Sequence, residues 1–227
     1  MCIRDRLGRL PEALEAFTDL VQTNRQLKSP RHQAQSLVGL ARVLENLGQI
    51  GDAKAHLDDA LGLLEGGGVQ SATTQAVALR HRAAIAQVEG DLPHAQSMLA
   101  EALTLENETG NQPALLITMS FMGELCLRLN RPERARRLCS DAAAGLKALG
   151  SDRAHHALMQ LGYLAIADRD AFALTSHIAE LDELLERQPS ERRSLRIAAL
   201  KLWLSAQHAE WSSWDELSAS IQTQFQQ

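Results

Sequence analysis

Small and large apolar residues recur along this chain in steps of four and then three. The triplet Ala13-Phe17-Leu20 is followed by Ala53-Leu57-Ala60, Ala95-Leu99-Ala102, Ala135-Cys139-Ala142 and Leu174-Ile178-Leu181. Such steps place each triplet on one helical face. A second series precedes each of the last four: Leu37-Ala41-Leu44, Leu79-Ala83-Ala86, Met119-Gly123-Cys126 and Leu158-Gly162-Ala165. Its central member is always Ala or Gly. Gly inside a helix costs about 1 kcal/mol relative to Ala, so Gly123 and Gly162 predict a close approach between the two helices of a pair.

Short turns separate the two series. They are Leu7-Gly8-Arg9-Leu10, Leu47-Gly48-Gln49-Ile50, Glu89-Gly90-Asp91-Leu92, Leu129-Asn130-Arg131-Pro132 and Asp168-Arg169-Asp170-Ala171. From Gly8 through Gly48, Gly90 and Asn130 to Arg169 the spacings are 40, 42, 40 and 39 residues. Gly and Asn suit a helix end that needs a left-handed residue; Arg169 departs from that rule. All six prolines fall at predicted helix starts, where the missing N–H has no partner to lose: Pro11, Pro93 and Pro132 open second helices, and Pro30, Pro113 and Pro189 open first helices. Connections between pairs are read at Lys28-Ser29-Pro30, Gly66-Gly67-Gly68, Gly110 to Pro113, Leu149-Gly150-Ser151 and Gln188-Pro189-Ser190.

The chain therefore divides into residues 1–6, a repeat region over 7–187 and a degenerate or capping helix pair over 188–227. The capping pair is read as Leu195 to Ala209 and Trp214 to Phe225, and solenoids need such a cap over the last apolar face. Met1 to Arg6 reads as a non-native leader translated from a sequencing adapter, to be set aside as other scars are. The turn at Gly8 has only seven residues before it, about two helical turns, so the first unit reads as lacking its opening helix.

Composition agrees with packed helices. Hydrophobic residues make up 45% of the 227 but aromatics only 4%, so Ala and Leu must fill the interior, which favours helices over sheets. Net charge is −5, which argues against nucleic acid as a direct ligand, since phosphate binding needs a basic surface. Cys2, Cys126 and Cys139 form neither a disulfide framework nor a metal motif. No apolar run approaches the roughly 20 residues of a membrane span, and no apolar signal core stands at the N-terminus. A cytoplasmic location follows.

These columns resemble the tetratricopeptide repeat family: Ala or Gly in the first helix, Gly-x-Leu at the turn and Ala-x-x-x-Phe/Leu-x-x-Ala in the second. The resemblance covers residues 7–187. The period near 40 is longer than the standard 34, and is similar to that of kinesin light chains and of sensor regions in large bacterial transcription activators. Only Phe17 keeps the second-helix aromatic. The resemblance implies an all-α, right-handed solenoid of five to six helix hairpins, with first helices lining a concave groove. Residues about 80–180° round from the core stripe then face that groove. They include Gln35, Arg42, Glu45, Asn46, Arg80, Gln87, Glu124, Arg128, His156 and Tyr163. A mixed lining of this kind suits an extended or helical peptide, held by Arg42, Arg80, Arg128 and Tyr163.

Other constellations carry less. Neighbours on a helix point about 100° apart, so His155-His156 reads as a surface pair and not as a metal site. Cys126 and Cys139 occupy core columns of one pair and read as buried hydrophobes. The arginines at 128, 131, 134, 136 and 137, and those at 192, 193 and 196, read as solvated helix starts. Trp203, Trp211 and Trp214 cluster near the C-terminus, as core or as an anchor. Gly66-Gly67-Gly68 lacks the Lys-Ser/Thr of a phosphate loop, and no catalytic signature is present. The expectation is a non-catalytic protein-interaction scaffold with a protein or peptide partner and no cofactor. The alternative is the sensor or regulatory segment of a larger bacterial transcription activator or Ser/Thr kinase.

Overall fold

A left-handed residue closes helix after helix in the computed structural model, which describes residues 10–65, 69–207, 214–219 and 222. The helices are α1 (Leu10–Gln26), α2 (Pro30–Asn46), α3 (Ile50–Leu64), α4 (Val69–Glu89), α5 (Leu92–Glu108), α6 (Gln112–Arg128), α7 (Pro132–Ala148), α8 (His155–Asp168), α9 (Ala171–Arg187) and α10 (Glu191–Gln207). A one-turn 3-10 helix, Asp152–Ala154, leads into α8. Residues 214–219 are also helical, and no strand occurs among the described residues. The readings at Met1–Arg6, Gly8, the Gly66–Gly68 connection and Trp211 lie outside the described residues.

The turns within pairs share one geometry. Gly48, Gly90, Asn130 and Arg169 have φ of 75°, 85°, 55° and 57°. In each case the next N–H bonds five residues back, from Gln49 to Leu44, Asp91 to Ala86, Arg131 to Cys126 and Asp170 to Ala165, at 2.8–2.9 Å. This 6→1 bond satisfies carbonyls that a helix end otherwise leaves open. Lys28, Gly110 and Gly150 close second helices in the same way. Arg169 thus takes the conformation its sequence disfavours. Four prolines, Pro30, Pro93, Pro113 and Pro132, occupy the first two helical positions. Pro189 stands just ahead of α10.

Consecutive helices pack as antiparallel pairs, α2 with α3, α4 with α5, α6 with α7 and α8 with α9, and each pair packs on the next. The repeating columns are the core: Leu57, Leu99, Cys139 and Leu174 are fully buried, as are Ala41 and Ala83. Each fully buried large apolar side chain contributes about 1.5–3 kcal/mol. A Cβ on Gly123 would lie 2.4 Å from Cys139 Sγ, which is the close approach within a pair that the sequence predicts. Gly162 differs, because its nearest neighbour is Leu200 Cδ1 on α10 at 2.9 Å, so there the small residue admits the following pair. Leu20 is a second departure. It is 48% exposed, because among the described elements α1 packs chiefly against α2 alone.

Candidate partner-binding surface

The first helices meet one another down the stack: α2 contacts α4, α4 contacts α6, α6 contacts α8 and α8 contacts α10, while second helices make no comparable contacts with each other. The first helices therefore form the tighter, inner wall of the stack, and the second helices its outer wall.

A row of side chains crosses four inner-wall helices. Glu45 on α2 accepts from His81 Nδ1 on α4 at 2.9 Å. The His81 ring meets Phe121 on α6 edge to face, with centroids 6.5 Å apart. Phe121 stacks on His156 of α8 at 4.2 Å, with the rings 11° from parallel. Nε2 of His156 donates to Glu124 at 3.1 Å, and its Nδ1 lies 3.0 Å from Ser120 Oγ. Beneath this row Arg80 donates to Glu106 at 3.0 Å and to Thr118 at 2.9 Å, with its guanidinium 5.7 Å from the Phe121 centroid. Burial lowers the Arg80 pKa to about 10; Glu106 opposes the shift, and the nearby Arg153 and Arg42 add to it. Burial likewise depresses His81, against the opposing charge of Glu45. Burial alone would raise the Glu124 carboxyl, but His156, Arg128 and Arg196 together hold it below the usual carboxylate range.

The residues expected in the groove divide into two groups. Gln35, Asn46, Arg128 and Tyr163 are exposed, and Arg42, Glu45, Glu124 and His156 are half-buried. Arg80 and Gln87 are only 3% exposed, which corrects their assignment to the solvent-facing lining. The cause is enclosure: α4 is packed by α2, α3, α5 and α6, so more of its circumference is covered than one stripe predicts. Gln87 is buried with both amide atoms unbonded. The sequence reading also missed His81 and Phe121. They stand 40 residues apart, the repeat pitch, and that shared column was the available signal.

The remaining constellations settle similarly. His155 and His156 are not a surface pair; both are half-buried, and burial with nearby Arg193 pushes His155 down to about 3. Cys126 and Cys139 are free and buried, with the Cys139 thiol pushed up to about 12 by burial and the neighbouring Cys126. Arg136 pairs with Asp168 across α7 and α8. Among the described residues no group of three or more His, Cys, Asp or Glu could hold a metal ion, and no helix is long and apolar enough to cross a membrane.

A family model for the tetratricopeptide repeat matches residues 74–148, from α4 to the end of α7. That segment is similar to tetratricopeptide repeats. The described chain is an α-helical solenoid of stacked helix pairs. It is similar to the crystal structure of BtubC (BKLC) from P. vanneervenii, with a TM-score of 0.69 at 13% identity over 95% of this chain and 90% of that one. It is also similar to pilF of Pseudomonas aeruginosa, with a TM-score of 0.55 at 13% identity over 95% and 93%. No curated protein matches the chain significantly. The His81–Phe121–His156 row runs from the matched segment into α8, beyond its end.

Proposed function

We propose that the chain is a protein-interaction scaffold that docks a partner's extended or helical segment along the inner wall and performs no chemistry of its own. The observation that carries this is the row linking α2, α4, α6 and α8, which fixes four helices into one continuous surface. Exposed Asn46, Arg128 and Tyr163 stand on those same helices, with half-buried Arg42, Glu45, Glu124 and His156 between them. A rigid wall mixing aromatic, apolar and polar groups suits peptide recognition, because little ordering is needed on binding. Arg80 and Gln87 belong to the wall's foundation and not to its contact surface.

A random peptide library displayed on phage tests the reading. Peptides selected on the intact chain should bind the Arg128→Glu/Tyr163→Ala variant about tenfold more weakly, as loss of an Arg and an aromatic anchor implies. Asp59→Lys, on exposed outer-wall helix α3, should leave their affinity unchanged. Equal binding to the inner-wall variant overturns the proposal.

A further inference from the structure

Charge is sorted between the two walls of the stack. Over the described side chains, the first helices carry eight Arg or Lys (Arg31, Arg42, Arg80, Arg82, Arg128, Arg193, Arg196 and Lys201) against four Asp or Glu (Glu45, Glu89, Glu124 and Asp168), a net of +4. The second helices α1, α3, α5, α7 and α9 carry seven bases against fifteen acids, a net of −8. The whole-chain charge of −5 conceals this division.

Glu89 and Asp168 pair with Lys54 and Arg136 of the second helices, while Glu45 and Glu124 accept hydrogen bonds from His81 and His156. Arg80, Arg82 and Lys201 pair with Glu106, Asp58 and Asp182 of the second helices. Further arginines lie around the aromatic row. Arg42 and Arg153 act on Arg80 from α2 and from the turn before α8. Arg128 lies 3.8 Å from Glu124, and Arg196 of α10 acts on the same carboxylate. Arginines from four elements thus lie near a surface that holds the stacked Phe121 and His156, and exposed Tyr163 stands further along α8.

We propose that the segment docked on the inner wall is an acidic peptide stretch of a partner protein, with Glu or Asp side chains opposite Arg42, Arg128, Arg153 and Arg196 and an apolar residue near Tyr163. This rests on the inner-wall docking reading and names the chemistry of its occupant. Complementary charge steers the encounter and sets which segments are accepted. The strongly acidic outer wall repels the same segment, so binding is directed to one side. A nucleic acid would meet that same repulsion over a much larger charged surface.

The test is fluorescence anisotropy with the full chain and a labelled peptide of repeating Glu-Glu-Leu, beside matched Gln-Gln-Leu and Lys-Lys-Leu peptides and an oligouridylate. The acidic peptide should bind most tightly, and its affinity should fall about tenfold or more between about 50 and about 250 mM salt. Arg42→Glu/Arg128→Glu/Arg196→Glu should weaken it by about tenfold or more. Arg131→Glu/Arg134→Glu/Arg137→Glu, with the same net charge change on exposed residues around the start of α7, should weaken it by less than about twofold. Should the first triple variant melt early by circular dichroism, Arg128→Glu/Arg196→Glu replaces it. Similar loss in both variants, or no preference for the acidic peptide, overturns the inference. So does tighter binding of the oligouridylate, which would make the wall a nucleic-acid surface. If inner-wall peptides selected from the random library are neutral or basic, the docking reading stands and only the acidic occupant falls.

Discussion

Arg80 holds a charge where water cannot reach it. Its side chain is 3% exposed and that of Glu106 is fully buried. The pair spans α4 and α5, and its bond to Thr118 ties in α6. Desolvation is costly for both ions, and burial pushes the Glu106 carboxyl above its usual range as well. The pair is therefore a poor source of net stability, yet breaking it is severe. Arg80→Met leaves Glu106 buried without its cation and removes the guanidinium from the Phe121 face. We expect a loss of about 3–5 kcal/mol, read as a shift of the urea midpoint. Adding Glu106→Leu should restore most of that loss, because two apolar side chains need no partner. A double variant no more stable than Arg80→Met would show that the cation supports the wall through Phe121 and Thr118 instead.

At the scale of the helix, the small-residue column decides how closely neighbours approach. Ala raises helix propensity over Gly by about 1 kcal/mol, so Gly123→Ala would stabilise an isolated α6. In the stack its Cβ would meet Cys139 Sγ at 2.4 Å, and the clash should win, with a net cost of about 1–3 kcal/mol in thermal or urea unfolding. In the Cys139→Ala background the added methyl should cost much less, and a strictly additive double variant would contradict the contact. This column, the turns and the caps were legible in the sequence because each follows from local geometry repeated at one pitch. Even Arg169 obeys the pitch when its residue type does not. The lining was only half legible. A helical wheel places Arg80 and Gln87 correctly relative to the core stripe, but it carries no account of how far neighbouring helices reach round α4. The ring contacts of His81, Phe121 and His156 were not legible either, since they join helices whose separation depends on the stack's curvature. The charge sorting was available residue by residue, but it acquires meaning only once the helices are assigned to walls.

Over the whole molecule, interactions between successive pairs hold the stack, and several of them involve histidines that burial keeps from protonating. His81 faces Glu45 and Arg42 from α2 and Arg80 from its own helix, and its pKa is depressed because burial outweighs Glu45. His155, held down to about 3, lies against Arg193 and Arg196 of α10 with Arg153 and His156 beside it, and His177 on α9 is lowered too, chiefly by burial. An unfolded histidine titrates near pH 6.5. Below that pH the unfolded chain binds protons that these three sites refuse, so stability must fall as pH drops from about 6.5 toward the depressed folded values. Glu124, depressed by its partners, adds a second loss at lower pH, as the medium passes through its folded value. Glu106 works the other way: burial raises its carboxyl, and the folded state gains from protonating it as pH falls through that raised value. One carboxyl offsets only part of what three histidines lose. We expect the melting temperature to drop by about 4–8 °C between pH 7 and pH 5, corresponding to about 2 kcal/mol for a chain of this size. His155→Leu sharpens the test, because the ring lines an apolar crevice with Met159, Leu181, Leu184, Leu185 and Ile197. That substitution should leave the melting temperature at pH 7 unchanged or higher and flatten its decline toward pH 5. An unaltered slope would mean that His155 takes up its proton as readily in the stack as in the unfolded chain.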